Sequence, residues 1–153
     1  MTDGVYNVRG ASLLARLGKN GASLLLLCGE QVLFSSEQRG IAPLLEAVER
    51  MNDKDLSGAT LVDRVIGKAG ALLALHLGVS FVAAGVISRS GAEVFTRHDV
   101  PFYAQETVVR IEGRGAGPCP FESSVQAVDA PEDALRILQD VAKRLRSGGP
   151  PTA

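Results

Sequence analysis

Apolar residues recur along this chain in two rhythms, and their alternation predicts an α/β fold. Leu13, Leu14 and Leu17 share one helical face within Ser12–Leu17. Lys19-Asn20-Gly21 then supplies a stop, with Asn and Gly suited to a C-cap. The run SLLLLC, the pair Gly29-Glu30 and the run QVLFS read as two short strands joined by a tight turn. Ile41, Leu44, Leu45 and Val48 follow the i, i+3, i+4, i+7 stripe of a second helix, opened by Arg39-Gly40, with Pro43 tolerated in its first turn. Met51 to Gly58 is a polar connection.

Thr60 and Asp63 have the spacing of a capping box, with Asp in the place of Glu, and predict a third helix running to about Leu77 and ended by Gly78. Ser80 to Ile87 is nearly all apolar, as expected of a parallel central strand buried on both faces. Arg89 to Asp99 reads as a short helix with Ala92 and Phe95 inward, and Val100 to Thr107 as the next strand, which Val108 to Ile111 extends or follows as an edge. Gly113 to Pro118 is a loop, Cys119 to Val128 a helical turn. Asp129-Ala130-Pro131-Glu132-Asp133 predicts a helix start with an Asp cap, burying Ala134, Leu135, Leu138 and Val141 and carrying Lys143, Arg144 and Arg146 near its end. A hairpin followed by strand–helix–strand crossovers makes a three-layer α/β/α sandwich with a mixed sheet of about five strands.

Composition narrows the class. The 153 residues fit one domain over residues 1–146 and a disordered Gly/Pro tail over 147–153. A net charge of −1 gives no general attraction to nucleic acid polymers or anionic membranes, and the absence of Trp disfavours a base-stacking platform. The apolar run Ala69–Ile87 is broken by His76, Gly78, Ser80 and Gly85 and carries two elements rather than a membrane span. The first residues have no basic-then-apolar pattern of a secretory signal. Cys28 and Cys119 form no CxxC; a buried Cys28 and a loop Cys119 in a reducing cytoplasm are expected.

Three stretches carry a family resemblance: SSEQRGIAPLLE (Ser35–Glu46), DRVIGKAGALL (Asp63–Leu73) followed by the strand ending Gly85-Val86-Ile87-Ser88, and GPCPFE (Gly117–Glu122). In their order and spacing the chain resembles the family catalogued as domain of unknown function 1893, over roughly Ser12 to Arg146, and the element order resembles the cytidine-deaminase-like fold. That resemblance implies zinc held by His or Cys at one helix start and by a Pro-Cys-x-x-Cys at the next. Here the first offers Asp63, Arg64 and Lys68, and the second reads Ile87-Ser88-Arg89-Ser90-Gly91, so no zinc, other metal or cofactor is expected. Pro118-Cys119-Pro120-Phe121-Glu122 mimics the second motif but falls after the strand that should follow it.

The candidate chemistry lies elsewhere. Asp63, Arg64 and Lys68, on the first turns of the third helix, could hold an anionic or nucleotide-like ligand with free N–H groups, or form an Asp cap and a solvated basic face. Ser88 and Ser90 could bond a phosphate or cap a helix. Arg39 could face a carboxylate or phosphate, or pair with Glu37 or Glu46. Cys119, with Glu122 three residues on, could be a nucleophile or redox thiol, although neither His76 nor His98 is placed as its base. The Gly113–Gly117 stretch lacks the Lys-Ser/Thr ending of a P-loop.

The leading expectation is a deaminase-fold protein without deaminase activity that binds a nucleotide-derived or other anionic small molecule as a cytoplasmic homodimer. The alternatives are a metal-free enzyme using Cys119 or Lys68 and a dimeric interaction module, since the N-terminal helix–hairpin–helix also resembles the roadblock-type scaffold. An all-antiparallel sheet would favour the scaffold; parallel pairing of Ser80–Ile87 would favour the deaminase-like arrangement.

Overall fold

The computed structural model describes residues 2–112 and 118–147. Five strands, β1 (Leu24–Cys28), β2 (Gln31–Ser36), β3 (Thr60–Ile66), β4 (Phe81–Ser88) and β5 (Phe102–Val108), form one sheet in the order β2-β1-β3-β4-β5. β1 is antiparallel to β2 and β3, whereas β3, β4 and β5 run parallel. The all-antiparallel meander of a roadblock-type scaffold is therefore absent among the described residues. One face is covered by α1 (Thr2–Asn20), whose Leu17 is buried with Leu25, Leu27, Val62, Phe81 and Ala83. The other carries α2 (Ala42–Arg50), α3 (Lys68–Leu77), α4 (Arg89–Arg97), the single turn and a half of α5 (Pro120–Ser124), and α6 (Pro131–Arg146) around the larger core. The result is an α/β fold with helices on both faces of an open mixed sheet.

The main departure from the sequence reading is β3. Thr60–Ile66 is not the start of the third helix but a strand at the centre of the sheet. Four of its seven residues, Thr60, Val62, Val65 and Ile66, are β-branched, which suits a pleated surface better than a helix. The supposed capping box does not form: Thr60 Oγ1 instead accepts a 2.8 Å hydrogen bond from Arg9 Nη2 of α1. α3 begins after Gly67, whose extended backbone (φ −101°, ψ −167°) makes the corner, and it ends at Gly78 in the left-handed region (φ 82°). Seven of its ten residues are buried, because it packs against α2, α4 and α6 at once.

Smaller corrections follow the same logic of tertiary contact. α1 starts at Thr2 rather than Ser12, since Tyr6 extends the apolar stripe of Leu13, Leu14 and Leu17 and stacks on Phe81 with ring centroids 5.2 Å apart. Ala130, not Asp129, is the N-cap residue of α6, and the Asp129 carboxylate faces Arg97 (3.7 Å) and Lys68 (3.9 Å) instead. Cys28, expected to be buried, is exposed where β1 meets its turn. β5 stops at Val108, and Glu112 makes an isolated bridge to Pro118. The Gly113–Gly117 loop and most of the tail expected over 147–153 lie outside the described residues.

Candidate functional site

Because β3 and β4 are parallel, Ile66 and Ser88 feed α3 and α4 at the same edge of the sheet, where open α/β folds place ligands. The two helix starts touch. A Cβ on Gly91 would lie 3.0 Å from the Gly67 carbonyl oxygen, so both positions keep the backbones close.

The start of α3 is filled by the protein itself. Gly67 offers no side-chain cap, and Glu122 of α5, 54 residues beyond Lys68, takes that role. Its Oε1 accepts from Lys68 N and its Oε2 from Ala69 N, both at 2.8 Å. A carboxylate there satisfies two orphan N–H groups and meets the positive end of the helix dipole. The Lys68 ammonium turns away, donating to the Gln126 carbonyl at 2.8 Å. At the start of α4, Ser88 is fully buried; its Oγ accepts from Gly91 N (3.0 Å) and lies 3.1 Å from Ser90 Oγ. Lys68, Ser88 and Ser90 thus serve local structure, as caps and ties.

Beside these helix starts opens a cleft of about 1440 Å3 between α2, the end of β3, α5 and the last turns of α6. Arg39, Asp63, Arg64, Cys119 and Glu122 all line it. Asp63 and Arg64 reach it from β3, not from a helix. Asp63 is the buried member, 7% exposed, on a strand whose neighbours Leu24 and Ala84 are apolar. Burial pushes its carboxyl up to about 8, against weaker lowering by the backbone N–H groups of Val65 and Arg64. Among the described residues no side chain forms a salt bridge or hydrogen bond with it, and none does so with Arg39, whose expected partner Glu46 pairs with Arg50 at 3.0 Å. A second hollow of about 780 Å3 runs along β2, but it contains no buried polar side chain.

Two contributions to the cleft escaped the sequence reading. Ile41 and Leu45 give it an apolar wall, although their periodicity marked them only as core. Gln139, Lys143 and Arg146 bring the outer face of α6 to its rim; the basic last turn was the visible signal, but not where it would dock. Neither histidine lines the cleft: His76 is in the last turn of α3, and the His98 ring nitrogen Nδ1 lies 3.0 Å from the Val94 carbonyl at the end of α4. Among the described residues no group of three or more His, Cys, Asp or Glu side chains is placed to hold a metal ion, and no helix is long and apolar enough to cross a membrane.

The architecture has a solved counterpart. The crystal structure of a DUF1893 family protein (TM1506) from Thermotoga maritima superposes with a TM-score of 0.78 at 30% identity, covering 86% of this chain and 88% of that one. No curated protein matches the chain. The domain of unknown function DUF1893 (TM1506) matches residues 12–142, which takes in every strand, the plugged helix start and the cleft lining apart from Lys143, Leu145 and Arg146. By sequence and by fold, the chain belongs to the DUF1893 family.

Proposed function

We propose that this chain binds a nucleotide-derived small molecule in the cleft, with a heterocyclic end against Asp63 and an anionic end toward Arg39, Arg64 and Arg146, and without deaminase activity. The observation that carries this reading is the buried Asp63 carboxyl opening onto a cleft of about 1440 Å3. Burying an ionisable group without a counter-charge costs stability, and such groups in clefts concentrate at functional sites. Protonated near neutral pH, the carboxyl presents one donor and one acceptor, the complement of an amide or amidine edge of a nucleobase. The guanidinium groups of Arg39, Arg64 and Arg146 suit a phosphate or carboxylate. In this reading Lys68, Ser88 and Ser90, which do not line the cleft, hold the helix starts beside it and do not contact the ligand.

The cytidine-deaminase-like identity of the fold is part of the same proposal. The parallel pairing of β4 with both β3 and β5 supports it. Such a fold implies zinc at the two helix starts, and the residues there do not fit. Gly67 to Gly70 and Ser88 to Gly91 offer a lysine, a guanidinium and hydroxyls, and Ser88 is already committed to its cap. The two free cysteines support a reducing, cytoplasmic setting.

A thermal-shift panel of free bases, nucleosides and nucleoside phosphates tests the binding. A ligand at one hundred times its Kd stabilises by about 2.7 kcal/mol, raising the melting temperature by several degrees. Asp63→Asn and Arg39→Ala should each reduce that rise. A panel in which nothing raises the melting temperature, or a rise unchanged in Asp63→Asn, overturns the proposal.

A further inference from the structure

The segment that closes one side of the cleft packs on α6 and α3 with one partly buried apolar side chain, Phe121, against the core. It runs from Cys119 through α5, between the Glu112–Pro118 bridge and Val125. Val125 is fully buried in the main core, but none of the five residues of α5 is buried. The polar side-chain contact that ties this stretch to another element is the Glu122 carboxylate on the α3 amides, 2.8 Å from each. Gly67 makes that contact possible, since a Cβ there would overlap the Glu122 carboxylate. Beyond the buried hinge, the Lys68 ammonium holds the Gln126 carbonyl at 2.8 Å, so the far side of Val125 is fixed independently of Glu122.

We propose that residues 119–124 form a flap over the cleft, pivoting between Pro118 and Val125, and that Glu122 is its latch on the first turn of α3. Release exchanges two charge-assisted hydrogen bonds for hydration of the carboxylate and of two helix-end amides, which water can also satisfy. Phe121 is the α5 side chain packed on the core, and it is only partly buried while Val125 stays seated, so opening is local rather than global. Cys119, Pro120 and Phe121 leave the cleft wall together, widening the approach to Asp63.

The two cysteines make the test direct. Cys119 is half-buried on the flap, and exposed Cys28 lies in the hairpin as an internal standard. Iodoacetamide labelling of each thiol, followed by mass spectrometry, should show Cys119 reacting well below Cys28 in the native protein. Glu122→Ala should raise the Cys119 rate at least fivefold and leave Cys28 unchanged. Gly67→Ala should do the same by displacing the carboxylate while keeping its charge in the protein, which separates access from the electrostatics of the thiol. Amide exchange in β3, β4 and the last turns of α3 should stay as slow as in the parent. Equal native rates for the two cysteines, an unchanged Cys119 rate in either variant, or a rise accompanied by faster exchange throughout β3 and β4 would overturn the latch. No ligand enters the measurement, so its failure would leave the binding proposal standing.

Discussion

At Asp63 the chain accepts a penalty that a neutral side chain would avoid. Its carboxyl is raised to about 8 in the folded protein, against an ordinary 3.8. The folded state therefore keeps a proton that the unfolded chain gives up. Its relative stability is highest below the unfolded value and is lost as pH climbs toward 8, at roughly 1 kcal/mol per pH unit. Denaturant unfolding between pH 5 and pH 8 should show this decline, and Asp63→Asn should flatten it. The sequence singled Asp63 out for its chemistry but misread its surroundings. As a helix cap it would have been solvated and charged; on a central strand it is desolvated, and that reversal changes what it can offer a ligand. Cys28 shows the opposite error, because a Leu-rich run does not reveal that its last residue emerges at the turn.

Among the elements, the hairpin, α2, β4, α4 and α6 were legible because each pairs a regular apolar period with its own stop signal. β3 was not. Leu61, Val65, Ala69 and Leu72 are also compatible with a helical stripe, and the only separator from α3 is a single glycine. What decides the matter is non-local: β1 on one side and β4 on the other supply the ladder. The close fit of that ladder gives a contrast between two glycines. In β4, a Cβ at Gly85 would lie 2.7 Å from the Arg64 backbone oxygen, so Gly85→Ala should cost about 1–3 kcal/mol. In α3, a Cβ at Gly70 would meet Ile66 and Leu44 side chains at an ordinary 3.4 Å, so Gly70→Ala should be neutral or gain up to about 1 kcal/mol from helix propensity. Paired denaturation midpoints measure both.

Over the whole molecule the two faces of the sheet are covered unequally. Among the described residues, four helices of eight residues or more share one face, while α1 alone shields the other. The three-layer plan was readable from element order; the closure of the cleft was not, because Glu122 and Lys68 are distant in sequence and only the packing of α5 against α3 brings them together. α1 depends on a small set of anchors. Arg9 donates to Thr60 and lies 4.8 Å over the Phe81 ring, and Arg9→Ala should lower stability by about 1–2 kcal/mol, measured by denaturant unfolding. Gly10 lets the helix press onto Tyr103, where any Cβ would overlap the ring. Both tyrosines of the chain, Tyr6 and Tyr103, lie in this single layer, and there is no tryptophan. Near-ultraviolet dichroism above 275 nm is thus a native optical signal for the seating of one helix, silent to events around the cleft on the opposite side.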